Sequence, residues 1–435
     1  MFFLRFLSDG GRTVSSMLKK RKAAVCDDAD IRFCSILFLD YGARRLNQNI
    51  VFFPLSWRKK IYQPQKCGGK ERKMAGTILF APMAFSRYEA SQTLPEKFSR
   101  LLEKSGLAER VKGKTVAVKM HVGAGVTYST IPPVFVMKLV DFLHKSGAEC
   151  FITDHYVYRR HPERRGYTEA NLGCPVLDDC GYFGKYYYTK DVDFKKLKHI
   201  DIAGLIHDAD FLIDFSHVKG HGACGFGGAC KNIAMGCVTD RTRHEIHALE
   251  GGLVWDKSKC IHCRKCIEAC NHDANSFTDC GHYKVNYHNC TMCQHCAKVC
   301  PTGAITLDSH DYTDFQEGMA ICTKTVLDTF APGNSYFINV LTQITALCDC
   351  WGMTTPSLVP DIGIMAGDDM VAVERASIDA IKIENLIPVG VPAGMQLSGH
   401  GHLFEQLHGK NPFVQLEKLE KYGLGTQEYR IQEVH

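Results

Sequence analysis

The chain has 435 residues, of which 45% are hydrophobic and 23% charged. That leaves room for two or three domains and excludes a disordered or fibrous chain. No run approaches 18 uncharged apolar residues, so no membrane-spanning helix is expected. The net charge of +5 divides unevenly: residues 1–73 hold 16 basic and 6 acidic side chains, whereas the remainder holds 36 and 41. The body of the protein is thus mildly acidic, and its charge gives no reason to expect nucleic acid as a partner.

Residues 1–73 alternate basic runs (Lys19–Lys22, Arg58–Lys60) with short apolar ones and sustain neither helical nor strand periodicity. The reading adopted is a dispensable or mis-assigned extension, with the functional start at Met74; its rival is a basic arm that docks an acidic partner. Thereafter strand and helix alternate. Thr77–Ala81 reads as a strand and Pro95–Lys104 as a helix with Phe98, Leu101 and Leu102 on one face. Thr115–Met120 is a β-branched run typical of a buried parallel strand. Pro132–Lys145 carries a Phe135, Leu139, Phe142, Leu143 stripe and stops at Gly147. Glu149–Thr153 completes a strand–helix–strand unit, which predicts a parallel sheet. Phe211–Phe215 and Ser335–Leu341 are further strands, and a short apolar run at Ile362–Met365 precedes a helix over Met370–Ile383. The last helix is punctuated by Asn411, Pro412 and Gly423. The expected class is α/β, mainly a parallel sheet with flanking helices. An α/β domain over 74–254 is completed by 309–435 and interrupted by a cysteine-rich insert at 255–308.

The insert is an internal repeat. Cys260, Cys263, Cys266 and Cys270 recur as Cys290, Cys293, Cys296 and Cys300, with an offset of 30 at every position. Pro301 follows the second run, whereas Asn271 follows the first. Three thiolates on a tight loop bind three irons of a cubane, and the fourth iron takes a cysteine from the other half. The spacing therefore predicts two [4Fe–4S] clusters, one on Cys260, Cys263, Cys266 and Cys300 and the other on Cys290, Cys293, Cys296 and Cys270. Zinc sites favour paired cysteines separated by a finger, and the spacing does not match them. The chain holds 21 cysteines, with eight in these two runs and no convincing signal peptide ahead of them. That usage points to metal-bound thiolates in a reducing cytoplasm.

Open parallel sheets bind ligands beyond the carboxyl ends of their strands. There the chain supplies His121, Asp154 with His155, and the segment 216–236 containing His217, Lys219 and His221. The functional reading is a pocket in which imidazoles transfer protons and Lys219 holds an anionic group. A metal site using His217, His221 and a cysteine is the second reading, and a glycine-rich packing loop the plain one. Gly220–Gly225 fits GxGxxG but lacks the strand-to-helix context of a dinucleotide site, and there is no P-loop. Asp368 or Asp369 reads as a helix cap or a pocket carboxylate. Cys348 and Cys350 are spaced too tightly for an ordinary disulfide and read as free thiols, in the core or near the pocket.

These segments carry a resemblance. VAVKMHVG, FITD, DFSHVKGHGACGFGGACKNIAMG, the two cysteine runs, CDCWGMTTPSLVPDIGIMAGDDMVAVERASIDAI and EKYGLGTQEYRI resemble the bacterial and archaeal iron–sulfur proteins of domain of unknown function family 362. The resemblance spans some 360 residues from about Met74 onward. It implies one α/β domain split by a two-cluster ferredoxin module, and little about substrate. The expected function is a cytoplasmic iron–sulfur oxidoreductase that exchanges electrons with a redox protein and acts on a small anionic substrate, without nucleic acid or membrane. The alternatives are a ferredoxin-type electron carrier with a docking domain and a metal-handling assembly protein.

Overall fold

A computed structural model describes residues 75–270, 273–286, 290, 295–307, 312–395, 397 and 399–435. The expected extension over 1–73, the start at Met74, Asn271 and the ligand Cys293 lie outside the described residues.

Eight of the described strands form one sheet: β1 (Gly76–Pro82), β2 (Thr115–Lys119), β3 (Glu149–Asp154), β4 (Val176–Asp178), β5 (Phe211–His217), β6 (Ser335–Leu341), β7 (Gly363–Gly367) and β8 (Tyr429–Glu433). Their order across the sheet is β8-β1-β7-β6-β5-β2-β3-β4. β6, β5, β2, β3 and β4 run parallel to one another, as do β1 and β8, while β7 is antiparallel to both β6 and β1. The fold is the α/β class expected. β2 and β3 pair directly, with Thr115 opposite Glu149, as their strand–helix–strand pattern predicts.

Strand periodicity builds two cores, one on each face. Val116, Val118, Phe211, Ile213, Phe215 and Ile338 pack on one side with the helices α1 (Leu94–Lys104) and α2 (Pro133–Lys145). There Phe98 stacks on Phe215 at 5.8 Å and meets Phe135 edge-on at 6.1 Å. Such aromatic pairs add about 0.5–1.5 kcal/mol beyond area burial. Ala117, Leu212, Phe337 and Leu341 face the other core, built with α3 (Ala229–Gly236), α4 (Tyr312–Leu327), α5 (Met370–Ala380) and α6 (Phe413–Lys421). The strands are buried on both faces, which is why they read as continuous apolar runs.

The structure differs from the sequence expectation in three places, two of them with a clear physical cause. α4, a 16-residue helix, has no clean apolar stripe because it buries polar side chains that bond to neighbouring segments. Gln316 donates to the carbonyls of Cys224 and Asn411, Glu317 accepts from Lys418, Lys421 and Tyr422, and Thr323 donates to the carbonyl of Cys230. β8 is a largely exposed edge strand, so its sequence carries no burial pattern. α5 ends at Ala380, three residues before the expected Ile383. At the last helix, Asn411 Oδ1 accepts the Phe413 N–H at 2.8 Å, so the asparagine caps as expected.

Glu374 on α5 reaches under the start of α3, where its Oε1 accepts the N–H of Cys230 at 3.0 Å and its Oε2 has no hydrogen-bond partner. Burial raises its pKa to about 8, against the opposing pull of that N–H. Unfolded, the same carboxyl ionises near pH 4.5. The folded chain therefore binds the extra proton between those values, and this group makes stability fall as pH rises through that window. Glu374→Gln should remove the slope: its urea midpoint should change less between pH 5 and 8 than that of the wild type. Parallel pH dependences would show that Glu374 is not protonated in the folded state.

Candidate functional site

The carboxyl ends of β2, β3 and β5 open on one cleft of about 580 Å3, mouth included. Its lining includes Lys119, His121, Asp154, Arg160, His217, Lys219, Lys231, Asn232, Arg243, Cys348, Asp349 and Cys350. Four of the six strand-end residues named from sequence thus share one cavity, His155 and His221 being the two outside its lining. His221 stands against it, with Nε2 3.6 Å from the Sγ of Cys350. A roomier and more apolar hollow lies elsewhere, around Met83, Phe85, Tyr88 and Phe135. Its charged lining is Arg87, Glu89 and Asp361, and it holds no histidine, cysteine or lysine.

β5 runs into a two-stranded ribbon, Lys219–His221 against Gly225–Gly227. The glycine-rich segment therefore forms a hairpin, not the strand-to-helix turn of a dinucleotide site. Gly220 is needed there because a Cβ would lie 2.3 Å from the carbonyl oxygen of Ala346. The ribbon buries Lys219 completely. Its ammonium donates to the carbonyl of Ser129 at 2.9 Å, the hydroxyl of Ser129 at 2.6 Å and Asp349 Oδ1 at 2.8 Å. All three donors are used, which corrects the expectation that Lys219 is a point charge for an anionic ligand. Asp349 also accepts from Thr127 and Ser129 at 2.6 and 2.8 Å. Burial works to raise its pKa, but His217 and Lys219 hold it well below the usual carboxylate range. His217 Nε2 lies 2.5 Å from the carbonyl oxygen of Thr342, to which it donates, and Nδ1 lies 3.6 Å from Asp349. Burial and the neighbouring Lys219 lower its pKa, so the ring is neutral.

At the end of β3, Asp154 organises the opposite wall. Its Oδ1 meets Lys119 at 3.0 Å and the N–H of His155 at 2.9 Å. Its Oδ2 meets His121 Nδ1 at 2.9 Å and the N–H of Val122 at 3.2 Å. So many donors make it an orienting carboxylate held ionised, not a proton donor. Burial drives the pKa of His121 down to about 4, against the pull of Asp154. The neutral ring donates from Nδ1 to Asp154, and its Nε2 is a buried acceptor without a hydrogen-bond partner. An imidazole fixed by a carboxylate, with its second nitrogen unengaged, can accept a proton or ligate a metal. His155 is held differently, between Asp179 at 2.9 Å and Asp240 at 3.2 Å.

Sequence reasoning assigned no role to Lys231, Arg160 or Arg243. Lys231 comes from α3, and its Nζ lies 3.7 Å from the sulfurs of both Cys348 and Cys350. Burial lowers its pKa to about 8. Its place inside the segment 216–236 was the available signal. Arg160 and Arg243 belong to no motif singled out in the sequence and reach the cleft only through tertiary packing. Asp368 and Asp369 do not line it: Asp369 caps α5 through the N–H of Ala372 at 3.0 Å, and Asp368 pairs with Arg110 at 2.5 Å. Among the described residues, two groups bring three ligand-type atoms within 4.8 Å, His221 with Cys348 and Cys350, and His155 with Asp179 and Cys180. Cys348 and Cys350 are joined as a disulfide, which corrects their reading as free thiols.

The insert repeats a small unit. Helical turns Lys265–Glu268 and His295–Lys298 each bury a cysteine, Cys266 and Cys296, against Ile305. Cys260, Cys263, Cys266 and Cys300 line one cavity together with Trp255, Phe277 and Ile305. Cys270 Sγ accepts the N–H of Ala274 at 3.3 Å, and Cys290 is buried.

A family model described as "Domain of unknown function (DUF362)" matches residues 116–379. A stretch of 53 residues is 36% identical to the 4-hydroxyphenylacetate decarboxylase activating enzyme of Clostridium scatologenes, covering 12% of this chain and 17% of that protein. A crystal structure of a Thermotoga maritima protein has a TM-score of 0.34 at 11% identity, covering 59% of this chain and 52% of that one. The lactate racemase apoprotein of Thermoanaerobacterium thermosaccharolyticum has a TM-score of 0.31 at 14% identity, covering 62% and 51%. The chain thus spans about a sixth of the curated relative and half of each solved chain. No described helix is long and apolar enough to cross a membrane.

Lys219→Met leaves Asp349 as a buried carboxylate without its ammonium. Breaking such a pair costs roughly 3–5 kcal/mol, whereas replacing both partners is often near neutral. Lys219→Met should therefore lower the melting temperature by circular dichroism, and Lys219→Met with Asp349→Leu should recover much of the loss. A single variant that melts with the wild type would remove the pair from the stability of the site.

Proposed function

The chain belongs to the family described as domain of unknown function 362, and on that premise we propose that it is an iron–sulfur oxidoreductase acting on a small anionic substrate in the strand-end cleft. The observation that carries this reading is the cavity shared by Cys260, Cys263, Cys266 and Cys300. Three of these are close in sequence and the fourth lies more than thirty residues on, which is the cross-half ligand set of a two-cluster ferredoxin. Cys290, Cys293, Cys296 and Cys270 form the second set by the repeat. A flanking apolar shell (Trp255, Phe277 and Ile305) and an N–H aimed at Cys270 suit thiolate-bound clusters, whose potentials depend on burial and hydrogen bonds to sulfur. When bound, two [4Fe–4S] clusters supply electrons one at a time, exchanged with a redox protein.

The cleft residues have separable tasks. Lys231, Arg160 and Arg243 attract and orient the anion. His121, held by Asp154, accepts a proton at Nε2. Asp349 and Lys219 hold the floor and exclude water from it. A carrier that merely docks another enzyme has no need of a neutral imidazole with an unengaged nitrogen among cations.

Anaerobically purified protein should contain about eight iron and eight sulfide per chain. Cys300→Ala should abolish the same paramagnetic signal as Cys263→Ala and leave the other, because the two serve one cluster. Stoichiometric zinc without sulfide would end the iron–sulfur reading.

The cleft is tested separately, by calorimetry with a series of small mono- and dicarboxylates. Lys231→Met should weaken binding at least tenfold, a lost charge-assisted hydrogen bond being worth roughly 1.5–3 kcal/mol. Cluster content should be unchanged. Equal affinity in both proteins, or no binding by the wild type, would favour the carrier.

A further inference from the structure

The Cα atoms of Cys348 and Cys350 stand 5.4 Å apart, within the roughly 4.4–6.8 Å that a disulfide spans. A single tight turn, Asp349–Trp351, brings them there, closed by Gly352 in the left-handed region at φ +73°. Cys348 caps this turn, its Sγ accepting the N–H of Cys350 at 3.4 Å. Asp349, between the two, binds Lys219 instead. The sulfurs thus line the cleft, with the Lys231 ammonium 3.7 Å from each.

We propose that Cys348 and Cys350 are a redox-active dithiol–disulfide couple serving the cleft. A bond across one intervening residue closes a minimal loop and removes little entropy from the unfolded chain, so stability does not account for it. Its neighbours suit thiol–disulfide exchange, which needs a reachable sulfur to attack and a stabilised thiolate to leave. Cys350 is partly exposed and Cys348 buried. A thiolate of a small dithiol reductant attacks Cys350 Sγ. The S–S bond breaks and its electron pair leaves with Cys348, whose thiolate is held by the Lys231 ammonium and the N–H of Cys350. The second thiolate of the reductant then attacks its own sulfur in the mixed disulfide and releases Cys350 as a thiolate. The protein gains two electrons, the new thiolates take up protons from solvent according to their basicity, and the reductant leaves as a cyclic disulfide. Oxidation by a disulfide runs the same steps in reverse. None of this requires a cluster, so the proposal stands or falls apart from the iron–sulfur reading.

The test equilibrates the full-length, anaerobically purified protein with mixtures of reduced and oxidised dithiothreitol. The samples are acid-quenched and alkylated, and the peptide containing Cys348 and Cys350 is followed by mass spectrometry. The expected result is a reversible conversion with a defined midpoint. Lys231→Met should shift that equilibrium about tenfold toward the disulfide, about 30 mV more negative, and Lys231→Arg should restore most of the shift. Iron content should be the same in all three proteins. A pair that stays bonded at every ratio is an inert cross-link, and one that never bonds is a pair of plain thiols or metal ligands. Either result, or a midpoint unmoved in Lys231→Met, would overturn the proposal.

Discussion

A buried ammonium and carboxylate, Lys219 and Asp349, tie the ribbon after β5 to the turn that follows β6. Both walls of the cleft depend on that tie. It holds His217 against the carbonyl of Thr342, presents Cys348 and Cys350 on the far side of the same turn, and collects Thr127 and Ser129 from the loop after β2. Buried pairs of this kind gain little net stability but are costly to break, so they specify an arrangement more than they strengthen it. Here the arrangement is the meeting of three strand ends.

Asp154 plays the matching part across the cleft, accepting from Lys119, His121 and two backbone N–H groups. Lys119 can reach it because Gly236 on α3 has no side chain: a Cβ there would lie 2.4 Å from the lysine Nζ. Lys119 and Lys219 are committed to carboxylates at 3.0 and 2.8 Å, and Arg160 and Arg243 pair more loosely with Asp154 at 3.7 Å and Asp240 at 3.4 Å, whereas, among the described residues, Lys231 meets only the two sulfurs at 3.7 Å. Two lysines thus shape the site, while a third, ten residues beyond His221 and carried by α3, lines the cleft.

The insert follows another logic. A repeat of 30 residues supplies two similar loops, neither of which has enough apolar surface for a core of its own. Its packing centre is two cysteines, Cys266 and Cys296, against Ile305. Thiolates at such a centre make sense if bound metal replaces the missing hydrophobic burial, since metal-binding free energy is folding free energy in small modules.

Much of the framework was legible in the sequence. β2, β3, β5 and β6 are β-branched or aromatic runs buried on both faces, and a run of that kind has few other ways to hide its surface. The histidines and aspartate after those strands were legible as pocket residues because strand ends in a parallel sheet share one edge. α4 was not, since its buried Glu317 and Thr323 look exposed until α6 and α3 supply their partners, and Gln316 until the carbonyls of Cys224 and Asn411 do. The role of Lys219 was not either: a lysine beside glycines reads as an available charge, and only the arrival of Asp349, 130 residues later in the chain, uses it. The bond between Cys348 and Cys350 depends on a turn whose closure is a matter of tertiary position. Local periodicity and spacing by themselves determined the class of fold, the repeat and the edge at which the histidines and Asp154 gather. Which charges are neutralised, and which remain for a ligand, was decided only by the tertiary structure, because electrostatic pairing depends on distance through space and not on separation along the chain.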